Sequence, residues 1–211
     1  MYIWEFRKSK MIDTNKKSKT CFVKIKHNIN VRSVKYSNAE KLALDIAIQK
    51  GETVFCNLAG DFIFGDFIGA FIQLNNLDVE ELTVVSLSGK TDNFELLEAL
   101  IVNDWVGKIT LILSDYFVRT EKAKNKAKPS TTNPVTRLEE MASKNKAFNV
   151  FYTNTHAKVV LLKTKQGGKV VMTGSANLRS SQSLEQLEIS ENAKLYDFQY
   201  EFYKNLTDGI R

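Results

Sequence analysis

The 211-residue chain is 43% hydrophobic and 26% charged, with a formal charge of +6. That balance suits one globular core and excludes wholesale disorder, collagen and coiled coil. No apolar run approaches the roughly 18 residues of a membrane helix, and residues 1–8 lack the apolar stretch of a signal peptide.

Residues 1–36 read as a basic, strand-rich extension packed on a domain spanning 37–211. Within it, residues 7–26 hold eight lysines or arginines against Asp13 alone. Ser37 and Glu40 have capping-box spacing. They predict a helix to about residue 50, with Leu42 and Ile46 on one face and Gly51 as its stop. Residues 53–58 form a short buried strand, and Gly60 and Gly65 mark the turn after it. Phe67, Phe71 and Leu74 share helical spacing over 67–77. A strand over 82–87, a helix from residue 92 and a strand over 108–113 follow.

Residues 119–134 are polar and basic and carry both prolines, Pro129 and Pro134. This predicts an exposed loop. A helix over 136–147 leads to strands at 149–153, 156–163, 169–172 and 184–189, with Gly167-Gly168 as a hairpin turn. The last helix, 193–206, is expected to pack through Leu195, Phe198, Phe202 and Leu206. The expected fold class is α/β, a mixed, largely parallel β-sheet flanked by helices on both faces.

Arg119, Lys122, Lys124, Lys126 and Lys128 face a single acid, Glu121, in a second cationic segment. Outside the two segments the chain is mildly acidic. Such concentration suits a polyanion, and these five residues are candidate nucleic-acid contacts. No aromatic interrupts their run, so base stacking is not expected there. Cys21 and Cys56 lie in apolar surroundings, as buried thiols of a cytoplasmic, reduced protein would.

The candidate chemistry sits late in the chain. His156 and Lys158 alternate onto one face of a strand. Beyond the Gly-Gly hairpin, Ser175 and Asn177 again share a face, and a hairpin can return them beside His156. Glu188 follows in a segment able to form an adjoining strand, with Glu185 as its rival. The lysine and the two hydrogen-bonding side chains suit phosphate oxygens. The carboxylate can fix the imidazole's tautomer. Singly each residue is ordinary; the ordered set carries the signal.

That set, His156-Ala-Lys158 then Gly174-Ser175-Ala176-Asn177, resembles the phospholipase D superfamily. The likeness is close over 150–190, extends through strand–helix alternation over 52–206, and is absent over 1–36. Glu188 stands where small single-motif bacterial nucleases of the family carry a glutamate. Lys163 occupies the position of the family's aspartate. The resemblance implies a phosphodiesterase, with His156, Lys158, Ser175, Asn177 and Glu188 as its site and no metal or cofactor. One histidine would attack phosphorus; a second would protonate the leaving oxygen. His27, the other histidine, has no lysine two places on. A homodimer with its active site at the interface is therefore implied. The basic segments favour nucleic acid, DNA ahead of RNA, over a membrane. The alternatives are a catalytically weak or inactive nucleic-acid-binding protein, which Lys163 motivates, and a phospholipase or phosphodiester transferase.

Overall fold

The computed structural model describes residues 21–25, 29–30, 39–46, 51–59, 63–128, 133–179 and 184–209. The strands are β1 (Cys21–Ile25), β2 (Ile29–Asn30), β3 (Thr53–Ala59), β4 (Val79–Ser86), β5 (Val106–Ser114), β6 (Phe148–Thr153), β7 (Val159–Thr164), β8 (Lys169–Gly174) and β9 (Leu184–Glu191). The helices are α1 (Ala39–Asp45), α2 (Phe64–Leu74), α3 (Thr91–Val102), α4 (Asp115–Ala127), α5 (Pro134–Lys144) and α6 (Ala193–Asp208). The nine strands among the described residues join one sheet in the order β2-β1-β3-β9-β8-β7-β4-β5-β6. β1 pairs along β3, so residues 21–25 extend the same sheet as the rest. The capping residue Ser37 lies outside the described residues.

The mixed α/β architecture is as expected, but the sheet is not largely parallel. Six neighbouring pairs are antiparallel; β4–β5 and β5–β6 alone run parallel. Alternating strands and helices predict parallel neighbours only when successive strands sit side by side. Here the β7–β8–β9 meander inserts between β3 and β4, and hairpin-linked strands are antiparallel.

One face of the sheet carries Val54, Leu82, Leu111, Val160, Met172 and Leu187, packed with α1 to α5 through residues such as Phe67, Leu97 and Leu138. The opposite face carries Val85, Ile112, Val159, Leu161 and Val171 against Tyr196 and Tyr203 of α6. Among the described residues helices thus cover both faces, with α6 alone on the second.

Two expectations fail locally. The basic segment is not a loop: Arg119 to Ala127 are helical in α4. Lysine, arginine, glutamate and alanine are good helix formers, the Ser114 hydroxyl caps the start by accepting from the Tyr116 N–H, and Phe117 and Val118 are buried. The prolines punctuate the helices. α4 stops before Pro129, and Pro134 opens α5 behind its cap Asn133. In α6, Phe198 and Phe202 are 71% and 59% exposed, while Tyr196 and Tyr203 are buried. The sheet beneath bears Glu81, Lys108 and Thr110, which with Tyr200 and Tyr203 line a cavity of about 180 Å³. Tyr200 meets this surface through its hydroxyl, which hydrogen-bonds Glu81, an option phenylalanine lacks.

Burial pushes the phenols of Tyr152 and Tyr200 up to about 12, and Tyr196 higher still; Glu81 adds to the effect at Tyr200 and Tyr196. An unfolded tyrosine titrates near 10. The folded chain therefore holds these protons more tightly than the unfolded one. Their contribution is complete below about pH 10 and is lost as pH rises through about 12. Urea midpoints should stay flat up to pH 10 and then fall, and Tyr196→Phe should make that fall shallower.

Candidate active site

The candidate site lies at the edge where β4, β5 and β6 end and β7 begins. β7 runs antiparallel to β4, with Val85 beside Val159. Carboxyl ends of parallel strands open onto loops, which makes that edge available for chemistry. His156 and Lys158 precede β7. Between them Ala157 packs into the α6-side core. The Thr155 hydroxyl accepts from the Ala157 N–H at 3.1 Å and shapes the approach. His156 is exposed and Lys158 half-buried; the Lys158 ammonium donates to the His156 carbonyl at 2.7 Å.

β8 returns the glycine-serine turn to the same edge. The Gly174 N–H donates to the Lys158 carbonyl at 3.2 Å. The Ser175 N–H donates to the Gln186 carbonyl at 3.0 Å, and the Ser175 hydroxyl accepts from the Gln186 N–H at 2.9 Å. Ala176 and Leu178 are buried in the core, while Ser175 is exposed and Asn177 half-buried. The Leu178 N–H donates to the Ser86 hydroxyl at 3.2 Å, and its carbonyl accepts from the Gly65 N–H at 3.1 Å. The turn is thereby anchored to the end of β4 and the start of α2. Two buried oxygens there have no hydrogen-bond partner among the described residues, Asn177 Oδ1 and Ser88 Oγ.

The structure brings the backbones of His156–Lys158 and Gly174–Asn177 to one edge, with Glu188 one residue inside it, beside Thr173. Glu188 pairs with Thr173 and Phe55, in line with Val159 of the α6-side core. Alternation puts Glu185 on the opposite face, opposite Leu58 of the main core. The Ser175 hydroxyl donates to Glu185 Oε2. Spacing alone allows either glutamate; the strand's phase separates them, because three residues along a strand reverse the face.

Lys163 sits five residues along from Lys158, about 16 Å away at the far end of β7. It pairs with Glu80 at 2.8 Å, and that hydrogen bond raises its pKa. The departure from the family's aspartate therefore removes no group from the His156 edge.

The five basic candidates extend from the same edge, on and just beyond α4. Lys122 pairs with Glu139 at 2.8 Å and Lys124 with Glu121 at 2.6 Å. Arg119, Lys126 and Lys128 are exposed. Among the described residues no group of three or more His, Cys, Asp or Glu side chains is placed to hold a metal ion. Asp66, in the first turn of α2, has its pKa raised by burial and then by Asp92. No described helix is long and apolar enough to cross a membrane.

No protein-family model and no curated protein matches the chain. Solved structures show partial likeness. NucT from Helicobacter pylori aligns at 14% identity over 61% of this chain and 79% of its own, with a TM-score of 0.42. Nuc from Salmonella typhimurium, a phospholipase D family member, aligns at 13% identity over 60% and 76%, with a TM-score of 0.41. Yeast tyrosyl-DNA phosphodiesterase aligns at 13% identity over 65% of this chain and 32% of its own, with a TM-score of 0.40. At these scores the likenesses carry no functional argument, and the site residues must supply it.

Proposed function

We propose that the chain is a metal-independent phosphodiesterase of the phospholipase D type, acting on nucleic acid, DNA ahead of RNA, as a homodimer. The observation that supports this most is the β7–β8 hairpin, which returns Gly174–Asn177 beside His156–Lys158 with the Gly174 N–H on the Lys158 carbonyl.

In the proposed cycle the His156 imidazole attacks phosphorus, forming an N–P bond as a P–O bond breaks. The leaving oxygen takes a proton from His156 of the partner subunit. Water then gives its proton to that same imidazole and attacks phosphorus, which breaks the N–P bond and restores both histidines. Lys158 ammonium groups and the Ser175 and Asn177 side chains hold the non-bridging oxygens, where charge builds. The carboxylate role goes to Glu185 as a positioning residue, since it holds the Ser175 hydroxyl.

The direct test is cleavage of oligonucleotides and of bis(p-nitrophenyl) phosphate with EDTA present, alongside the oligomer's mass by light scattering. Turnover in EDTA by a dimer is expected; strict dependence on an added divalent cation would overturn the mechanism. Glu185→Gln should lower kcat by about 10²-fold through misplacement of Ser175, while Glu188→Gln should leave kcat unchanged. The reverse result would return the carboxylate role to Glu188.

The α4 cations are proposed phosphate contacts. Oligonucleotide affinity should fall steeply with salt, and Arg119→Ala or Lys126→Ala should each reduce the log–log salt slope by about one. Binding without cleavage at any pH would favour the inactive binding protein, and turnover of a lipid diester alone would favour the phospholipase.

A further inference from the structure

Because residues 119–127 are helical, the basic segment is continuous with Tyr116. At 100° per residue, Tyr116, Thr120, Ala123 and Ala127 fall within about 60° of one another on α4. They form a shallow strip of small side chains that begins with an aromatic ring. Arg119 and Lys126 border it on one side and Lys124 on the other. The opposite side of the helix is pinned by buried Phe117 and Val118.

Tyr116 is 64% exposed. Its position is fixed from both ends: its N–H donates to the Ser114 hydroxyl at 3.3 Å, and its carbonyl accepts from the Thr120 hydroxyl at 2.8 Å. α4 starts where β5 ends, and β5 lies two strands from β7, about 10 Å across the sheet. The ring therefore stands at the His156 edge, and the cations lead away from it along about 16 Å of helix.

Resting on the phosphodiesterase reading of that edge, we infer that Tyr116 and the α4 strip form a track for single-stranded nucleic acid, with Tyr116 stacking an unpaired base beside the site and Arg119 and Lys126 following the backbone. An exposed ring ahead of spaced cations matches the two groups a single strand presents, a flat base and a regular line of phosphates. A duplex keeps its bases stacked on one another and offers this ring no face. A phospholipid headgroup has neither a base nor a second phosphate at this spacing.

The test uses the full chain carrying His156→Ala, so that the probe survives, and reads fluorescence anisotropy with a labelled single-stranded oligonucleotide and its duplex. Single strand should bind more tightly than duplex. Adding Tyr116→Ala should weaken single-strand binding about 5- to 100-fold, whereas Tyr116→Phe, which keeps the ring face, should restore most of it. Equal affinity for Tyr116→Ala and its parent would overturn the inference, as would duplex preference unaffected by residue 116. Wild-type turnover of bis(p-nitrophenyl) phosphate, which needs no base stacking, separates the two readings. If it is absent while ring-dependent strand binding persists, the catalytic reading fails and the track stands.

Discussion

His156→Ala should reduce phosphodiester cleavage by at least about 10⁴-fold, to the limit of detection. General acid–base catalysis by one group contributes about 10²–10⁴-fold, and the proposed mechanism asks more of this residue than that. In a symmetric dimer one substitution removes both the attacking imidazole and the imidazole that serves the leaving oxygen. The chain's other histidine, His27, has no lysine two places on. The fold should be untouched. His156 is exposed, and its carbonyl, not its ring, receives the Lys158 ammonium. Surface substitutions of this kind stay within about ±0.5 kcal/mol. Kinetics on a labelled oligonucleotide, paired with thermal unfolding, check both halves. A variant that melts normally and retains near wild-type kcat would remove histidine chemistry from the proposal.

Gly174→Ala should damage both stability and turnover. Gly174 ends β8 opposite Leu187 of β9. A Cβ there would collide with the Gln186 carbonyl oxygen. That oxygen belongs to rigid strand backbone, so β8 and β9 must separate. Overpacking of this kind costs about 1–3 kcal/mol. The same movement loosens the bonds from the Ser175 N–H to Gln186 O and from the Gln186 N–H to Ser175 Oγ. These hold Ser175 beside Glu185, and a shift of 1 Å in a catalytic group can cost about 10²-fold. Denaturant unfolding should show a lower midpoint, and kcat measured well below the unfolding range should fall separately from it. Normal stability with normal kcat would show that the close approach is not needed at this turn.

Local pattern determined a good deal of this protein. Helical spacing marked the buried Phe67 and Phe71 face of α2, apolar runs marked β4 and β5, and Gly167-Gly168 marked the hairpin. These features depend on residues within a few positions of each other, where periodicity alone separates inside from outside. Tertiary structure decided the rest. Strand neighbours depend on partners more than a hundred residues apart, such as β3 and β9, so the sheet's antiparallel majority could not be read from chain order. The opposite faces taken by Glu185 and Glu188 turned on the register of β9 against β3 and β8. The burial of Tyr196 and exposure of Phe198 turned on which side of α6 meets the Val85, Ile112, Val159, Leu161 and Val171 face of the sheet. The placement of Tyr116 ahead of the α4 cations required that segment to be helical. Its anchors, Phe117 and Val118, reveal themselves only when packed against the core, because burial is a property of the assembled surface and not of the run of residues that contributes to it.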